Sequence, residues 1–169
     1  VVAEHFWAAK KGVEALRITW DEGPNAKLSS DSLTQSAAAL AKKPGVKAES
    51  RGDAEKALSG AAKKLEAVYE VPFQAHATME PQNCTADVRA DRAELWVPTQ
   101  GPQRCLDLTA ELTGLAPERI VVHPSYLGGG FGRRGERDFV REAVLISRAI
   151  GSPVQVVWSR EDDIRGGYY

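Results

Sequence analysis

Gly128, Gly129, Gly130 and Gly132 surround Phe131 and run directly into Arg133 and Arg134. A backbone this rich in glycine takes positive φ and lets a ligand approach without meeting a Cβ. A helical pattern from Glu136 to Ile150 follows, and the amides at the start of a helix are unpaired and carry its positive dipole end. The two arginines add fixed positive charge. Residues of these types in this order suit an anionic, phosphate-bearing ligand. Cations at a helix start oppose its dipole, which argues for an anion beside Arg133 and Arg134 rather than for a solvated basic pair.

A rival reading uses Gly130 to Gly135, which fits the dinucleotide fingerprint G-x-G-x-x-G. Two features count against it. Pro124 to Gly128 separates the preceding strand pattern from the motif, where the fingerprint needs a tight turn. No acidic residue stands about 20 positions on at the end of a second strand, and Glu161 is too far along. A nucleotide-binding module of the NAD or FAD type stays an alternative, as does a non-catalytic scaffold domain that keeps the fold without a cofactor.

The elements that must position this loop are legible as patterns. Arg119 to His123 reads as a strand before it, and Val154 to Trp158 as a final buried strand. Upstream, Val68 to Val71, Thr85 to Arg89 and Glu94 to Val97 read as strands. Ala90 to Ala93 forms the turn of an antiparallel hairpin between the last two. Pro102 to Leu112 reads as a helix with Leu106, Leu108 and Leu112 among its apolar positions. Nearer the amino terminus, Val2 to Leu16 has helical spacing with one face to bury, and Leu16 to Trp20 alternates like a strand. Ser30 or Asp31 caps a helix ended by Pro44-Gly45, and Asp53 to Lys63 reads as a further short helix. Strands first and βαβ-like alternation later predict an α+β fold, a two-layer mixed sheet with helices.

At 169 residues and 43% hydrophobic content the chain can bury a real core. Its net charge of -1 carries no nucleic-acid signature. There is no signal-peptide pattern and no apolar run near the length of a membrane helix. Cys84 and Cys105 are too few for a disulfide framework and read as buried or half-buried thiols. No CxxC or His/Cys cluster points to a metal site. The chain opens on Val1 within an amphipathic segment and stops soon after a strand pattern, and reads as a piece of something longer.

Single residues admit bland roles. Gln100, in the loop leaving a strand after Pro98-Thr99, is of a type mostly solvated. His123 at a strand end reads as a satisfied structural histidine. His76, Met79 and Glu80 read as a packed crossing segment in which Glu80 caps backbone amides. Phe131 also suits a core position.

Taken together, Gly129 to Arg134, Trp96-Val97-Pro98-Thr99-Gln100 and Glu70 to Cys84 resemble the molybdenum-binding subunit of the xanthine dehydrogenase/aldehyde oxidase family. Within that family the isoquinoline 1-oxidoreductase β-subunit type is the nearest in pattern. Trp158 to Arg165, Phe6 to Lys11 and Trp20 to Pro24 are similar to that type as well, so the resemblance spans almost the whole chain. It implies a molybdopterin-binding-domain type of fold over 64–169, a connector with short helices over 21–63, and the tail of an α/β-hammerhead domain over 1–20.

The resemblance also implies roles. Gln100 matches the family glutamine that hydrogen-bonds an oxygen ligand of molybdenum. Phe131 and Gly132 match the Phe-Gly pair whose backbone lines the metal and the pterin, with Gly129, Gly130, Arg133 and Arg134 completing the cofactor loop. The implied cofactor is molybdenum-molybdopterin in a cytosine dinucleotide form, with a [2Fe-2S] cluster on a partner. Implied partners are a small iron-sulfur subunit, with a cytochrome c subunit as a further candidate, the remainder of the large subunit, and a small-molecule substrate. Either the bacterial periplasm or the cytoplasm suits such a protein, with membrane association through partners.

The implied activity is oxidation of an aldehyde or N-heteroaromatic carbon with water-derived oxygen. Its glutamate base lies near the end of the full subunit, outside this chain, so the piece alone should be inactive. One departure bears on substrate. Xanthine dehydrogenases continue the loop as Gly-Gly-Lys-Glu, whereas this chain has Gly135 where that glutamate would stand and Glu136 one position late. A purine is thereby disfavoured.

Overall fold

The computed structural model describes residues 1–168. They fall into two units, Val1–Pro72 and Phe73–Tyr169.

The first unit contains helices and no strand. Helix α1 spans Phe6–Glu14 and is started by His5, whose Nδ1 accepts from the Ala8 amide at 3.2 Å. Helix α2 spans Ser30–Leu40 under a reciprocal capping box between Ser29 and Ser32. Helix α3 spans Ala54–Ser59 and is capped by Asp53. None of these helices has a buried residue, and Phe6 and Trp7 stay about half exposed, so the apolar face read from Val2 to Leu16 is not buried within this unit. The strands expected at Leu16 to Trp20 and Val68 to Val71 do not form. The reason is that a strand needs a ladder partner, and this unit offers none.

The second unit is a four-stranded mixed sheet covered on one face by helices, the α+β architecture read from the sequence. Its strands are β1 (Asn83–Val88), β2 (Ala93–Val97), β3 (Ile120–Pro124) and β4 (Val154–Val157), in the spatial order β3-β2-β1-β4. β1 and β2 form the expected hairpin, closed by the Arg89 amide donating to the Arg92 carbonyl at 2.8 Å. Helix α4 (Pro102–Thr113) carries the chain from β2 to β3, which pairs parallel to β2. Helix α5 (Asp138–Ile150) then leads to β4, which returns antiparallel to β1. The short helix α6 (Arg160–Arg165) follows.

Period-2 alternation puts Cys84, Ala86, Val88, Ala93, Leu95 and Val97 on the covered face. They meet Leu108 of α4 and Phe139, Val140, Ala143 and Val144 of α5. Each large side chain buried this way contributes about 1.5–3 kcal/mol. Ser147 is the polar exception, accepting from the Val88 amide at 3.0 Å and donating to the Ser152 carbonyl at 2.8 Å. Both thiols are buried and free, and burial pushes the Cys84 thiol up to about 12, so it is protonated and inert at neutral pH. The last strand differs from expectation. β4 is an edge strand, alternately half-buried and exposed, because only β1 pairs with it. Among the described residues no helix is long and apolar enough to cross a membrane.

Candidate functional site

Parallel β2 and β3 end side by side, with Val97 opposite Pro124. The loops leaving the carboxyl ends of parallel strands are where open sheets place ligands. Here the loop after β2 holds Pro98, Thr99 and Gln100, and the loop after β3 holds residues 125–132. A third segment, residues 76–81, crosses them on its way into β1.

The crossings are specific. The Glu80 amide donates to the Gly128 carbonyl at 3.1 Å, and the Gly128 amide donates back to Glu80 Oε2 at 2.9 Å. Glu80 thus caps a backbone amide, as read from the sequence, whereas Met79 of the same segment is exposed rather than packed, because its side chain points away from the sheet. The Gln100 amide donates to the Arg134 carbonyl at 3.0 Å, and the Thr99 hydroxyl donates to the same oxygen at 3.2 Å. The Gly132 amide donates to Gln100 Oε1 at 3.2 Å, which brings together residues 32 apart in sequence. That bond fixes which way the Gln100 amide points. Its oxygen is occupied, and its Nε2 hydrogens have no protein acceptor among the described residues.

Gly129 and Gly132 take φ of +100° and +96°, and Phe131 between them is held at +51°. The amides of Gly129, Gly130 and Phe131 likewise find no protein acceptor among the described residues. A donor-only set of backbone amides and one carboxamide fits an anionic ligand. The cradle is also tight, since a Cβ at Gly130 would come within 2.9 Å of the Gln100 carboxamide. The ring of Phe131 is exposed, which corrects the core position allowed from sequence; its positive φ turns the side chain outward while its backbone lines the cradle.

Arg133 and Arg134 are not placed as the sequence suggested. Both are fully buried. Arg133 forms a bidentate pair with Asp138 at 2.9 and 2.7 Å, and its guanidinium lies over the rings of Trp158 and Tyr168 at 5.3 and 5.2 Å. Arg134 donates to the carbonyls of Gly129 at 2.8 Å, Glu80 at 2.6 Å and Pro98 at 3.3 Å, and pairs with Glu80 Oε2 at 3.0 Å. Burial lowers the Arg134 pKa, and the carboxylates of Glu80 and Asp163 oppose that shift. The physical reason is that an irregular loop packed inside has carbonyls without ladder partners, and a guanidinium offers five donors to satisfy them. The arginines build the cradle from behind.

The helix dipole is also more remote than expected. A 3-10 turn over Arg133–Gly135 follows the glycines, and α5 begins only at Asp138, after Arg137. The same turn removes the tight strand-to-helix context that a dinucleotide fingerprint over Gly130 to Gly135 requires. His123 stacks on Trp96 at 5.1 Å with its Nε2 3.5 Å from Glu94, a structural role. Sequence reasoning missed the buried Asp163, which accepts from Gln82 Nε2 at 3.0 Å and Arg160 Nη1 at 2.8 Å. An aspartate that follows Glu161 and Asp162 in a charged run gives no signal of burial. Among the described residues no group of His, Cys, Asp and Glu is arranged to hold a metal ion.

Gly132 allows a direct test of the loop. Space around it is open, the nearest atom to an added Cβ being His76 Nε2 at 4.0 Å, so any penalty is conformational. Gly132→Ala should lower stability by ~1–3 kcal/mol, measured by equilibrium denaturation, because φ near +96° strains any other residue. An unchanged unfolding midpoint would show that the loop relaxes without cost.

Such a sheet, with donors gathered at its carboxyl edge, defines a cofactor-binding domain of the α+β class. The chain belongs to the molybdopterin cofactor-binding domain family, whose model matches residues 39–167. It is 43% identical over 99 residues to the beta chain of isoquinoline 1-oxidoreductase from Brevundimonas diminuta, covering 58% of this chain and 12% of that protein. It is 30% identical over 165 residues to a nicotinate dehydrogenase component of Pseudomonas putida, covering 96% of this chain and 14% of the relative. The aldehyde oxidoreductase of Desulfovibrio gigas shares the fold, with a TM-score of 0.60 at 21% identity over 66% of this chain and 12% of that one. The chain therefore spans about an eighth of the length of the proteins it matches.

Proposed function

We propose that this chain forms one wall of the cofactor site in a molybdopterin-dependent oxidoreductase, which oxidises an aldehyde or N-heteroaromatic carbon with water-derived oxygen. The observation that carries the reading is the Gln100–Gly132 pairing beside the unpaired amides of Gly129, Gly130 and Phe131. When bound, the cofactor supplies the two-electron acceptor for the oxidation. The chain's own residues bind and orient. The glycine amides hold anionic oxygen or sulfur, and Gln100 Nε2 donates to an acceptor on the bound group. Arg134 and Glu80 keep the loops in register.

Gly135, with open space around it, stands where the resemblance to xanthine dehydrogenases would put a substrate-binding glutamate. This departure, rather than the names of the relatives, which include isoquinoline, nicotinate and xanthine, disfavours a purine and favours the aldehyde or N-heteroaromatic class. In this reading the cofactor is the cytosine dinucleotide form. Electrons leave through a [2Fe-2S] cluster on a small subunit and, beyond it, a cytochrome c subunit. The proton-abstracting base lies outside this chain.

The test is elemental and pterin analysis of the full-length gene product matured in its native host. Stoichiometric molybdenum with a molybdopterin dinucleotide is the expected result. Protein that is folded, natively matured and free of molybdenum would overturn the reading.

A further inference from the structure

Behind the glycine loop lies a histidine with neither ring nitrogen engaged. His76 Nδ1 is buried and has no partner among the described residues. Its Nε2 also makes no hydrogen bond there, and lies 4.0 Å from where a Cβ on Gly132 would sit. The ring nitrogen beside Gly132 is thus free to hydrogen-bond a ligand, with no protein group competing for it among the described residues.

The segment that carries this ring is held rigidly. Ala77, the next residue, is in the left-handed region at φ +47°, a conformation that non-glycine residues keep only where their surroundings enforce it. Thr78 is buried, and its hydroxyl donates to the Glu80 carbonyl at 2.7 Å. Glu80 is tied to Gly128 by the two hydrogen bonds of the crossing, which set the segment carrying His76 beside the glycine loop. His76 and Gln100 thus flank Gly132, Gln100 through its amide and His76 across the space its missing side chain leaves open.

We propose that His76 is a further binding residue of this site, its Nε2 donating a hydrogen bond to the group held by the glycine loop. The inference rests on the reading that a molybdopterin cofactor lies there. With no acceptor beside the buried Nδ1, the imidazole proton is better placed on Nε2. His76 then adds a side-chain donor to the backbone amides and Gln100, in line with the anionic character of the group.

The full-length gene product, matured in its native host, tests this with His76→Gln, His76→Asn and His76→Phe. The readout is molybdenum and pterin per folded polypeptide, with circular dichroism and thermal unfolding as fold controls. A Gln carboxamide reaches the Nε2 position, an Asn carboxamide only that of Nδ1, and Phe keeps the ring without a donor. Loading should stay within about twofold of wild type in His76→Gln and fall at least about tenfold in the other two, the loss of one charge-assisted hydrogen bond. Full loading of His76→Phe would reduce His76 to packing and overturn the inference. Loading kept by His76→Asn and lost by His76→Gln would overturn it too, as would loss in all three. If His76→Phe fails to fold, the Gln and Asn pair decides. A wild-type protein without molybdenum would instead reject the cofactor reading itself.

Discussion

Arg134→Met should destabilise the chain by about 3–5 kcal/mol, the cost of removing one partner from a buried ion pair. Arg134 has no exposed surface, and its guanidinium bridges Glu80, Pro98 and Gly129. Methionine fills similar volume and supplies no donor, so each of these carbonyls and the Glu80 carboxylate loses a partner. Arg134→Lys should recover only part of the loss, because a single ammonium cannot span the same acceptors. Adding Glu80→Gln to Arg134→Met should cost less than the separate effects combined, since the uncompensated carboxylate is gone. Equilibrium denaturation of the 169-residue chain provides the measurement. If Arg134 served a ligand rather than the loops, Arg134→Met would leave the unfolding midpoint almost unchanged.

The arginines show where reading a sequence stops. Gly128 to Arg134 marks an irregular loop, because so many adjacent glycines have no use in a helix or strand interior, while its ligand stays open between a cofactor, a dinucleotide and none. The hairpin of β1 and β2 and both long helices of the sheet unit follow from periodicity and turn residues, since each pattern is local, and the burial of Cys84 and Cys105 follows from residue type. A guanidinium beside a glycine loop is different. Its fork of donors satisfies phosphate oxygens and peptide carbonyls equally well, and only the fold decides which it meets. Asp138, which takes Arg133, and Glu80, which takes Arg134, lie on different elements, and no spacing rule joins them. The amino-terminal strands fail for a related reason. Alternation in Leu16 to Trp20 and Val68 to Val71 states which face an extended segment would bury, but not that a partner strand exists in the same unit. Gln100 is legible only through its resemblance to a family glutamine, as a lone loop carboxamide carries no pattern of its own.

That carboxamide has two halves, and they can be separated. Gln100 Oε1 accepts from the Gly132 amide at 3.2 Å and so supports the loop, while Nε2 has no protein acceptor among the described residues and is the donor of the proposed function. Gln100→Ala removes both halves. Turnover of the complete, metal-loaded enzyme should fall by roughly 10²–10³, as when one preorganised donor is lost from a site where charge develops. Gln100→Glu keeps an acceptor for the Gly132 amide and loses the donor, so it isolates the second half. It should fold as wild type does, load molybdenum less fully because a carboxylate then faces an anionic group, and lose turnover per bound molybdenum to a similar degree. Molybdenum content and thermal unfolding, measured beside kcat, keep loading and stability apart from chemistry. A fully loaded Gln100→Glu enzyme with normal turnover would show that Gln100 acts only on the loop. The donor reading would then fail while the Gly132 contact stood.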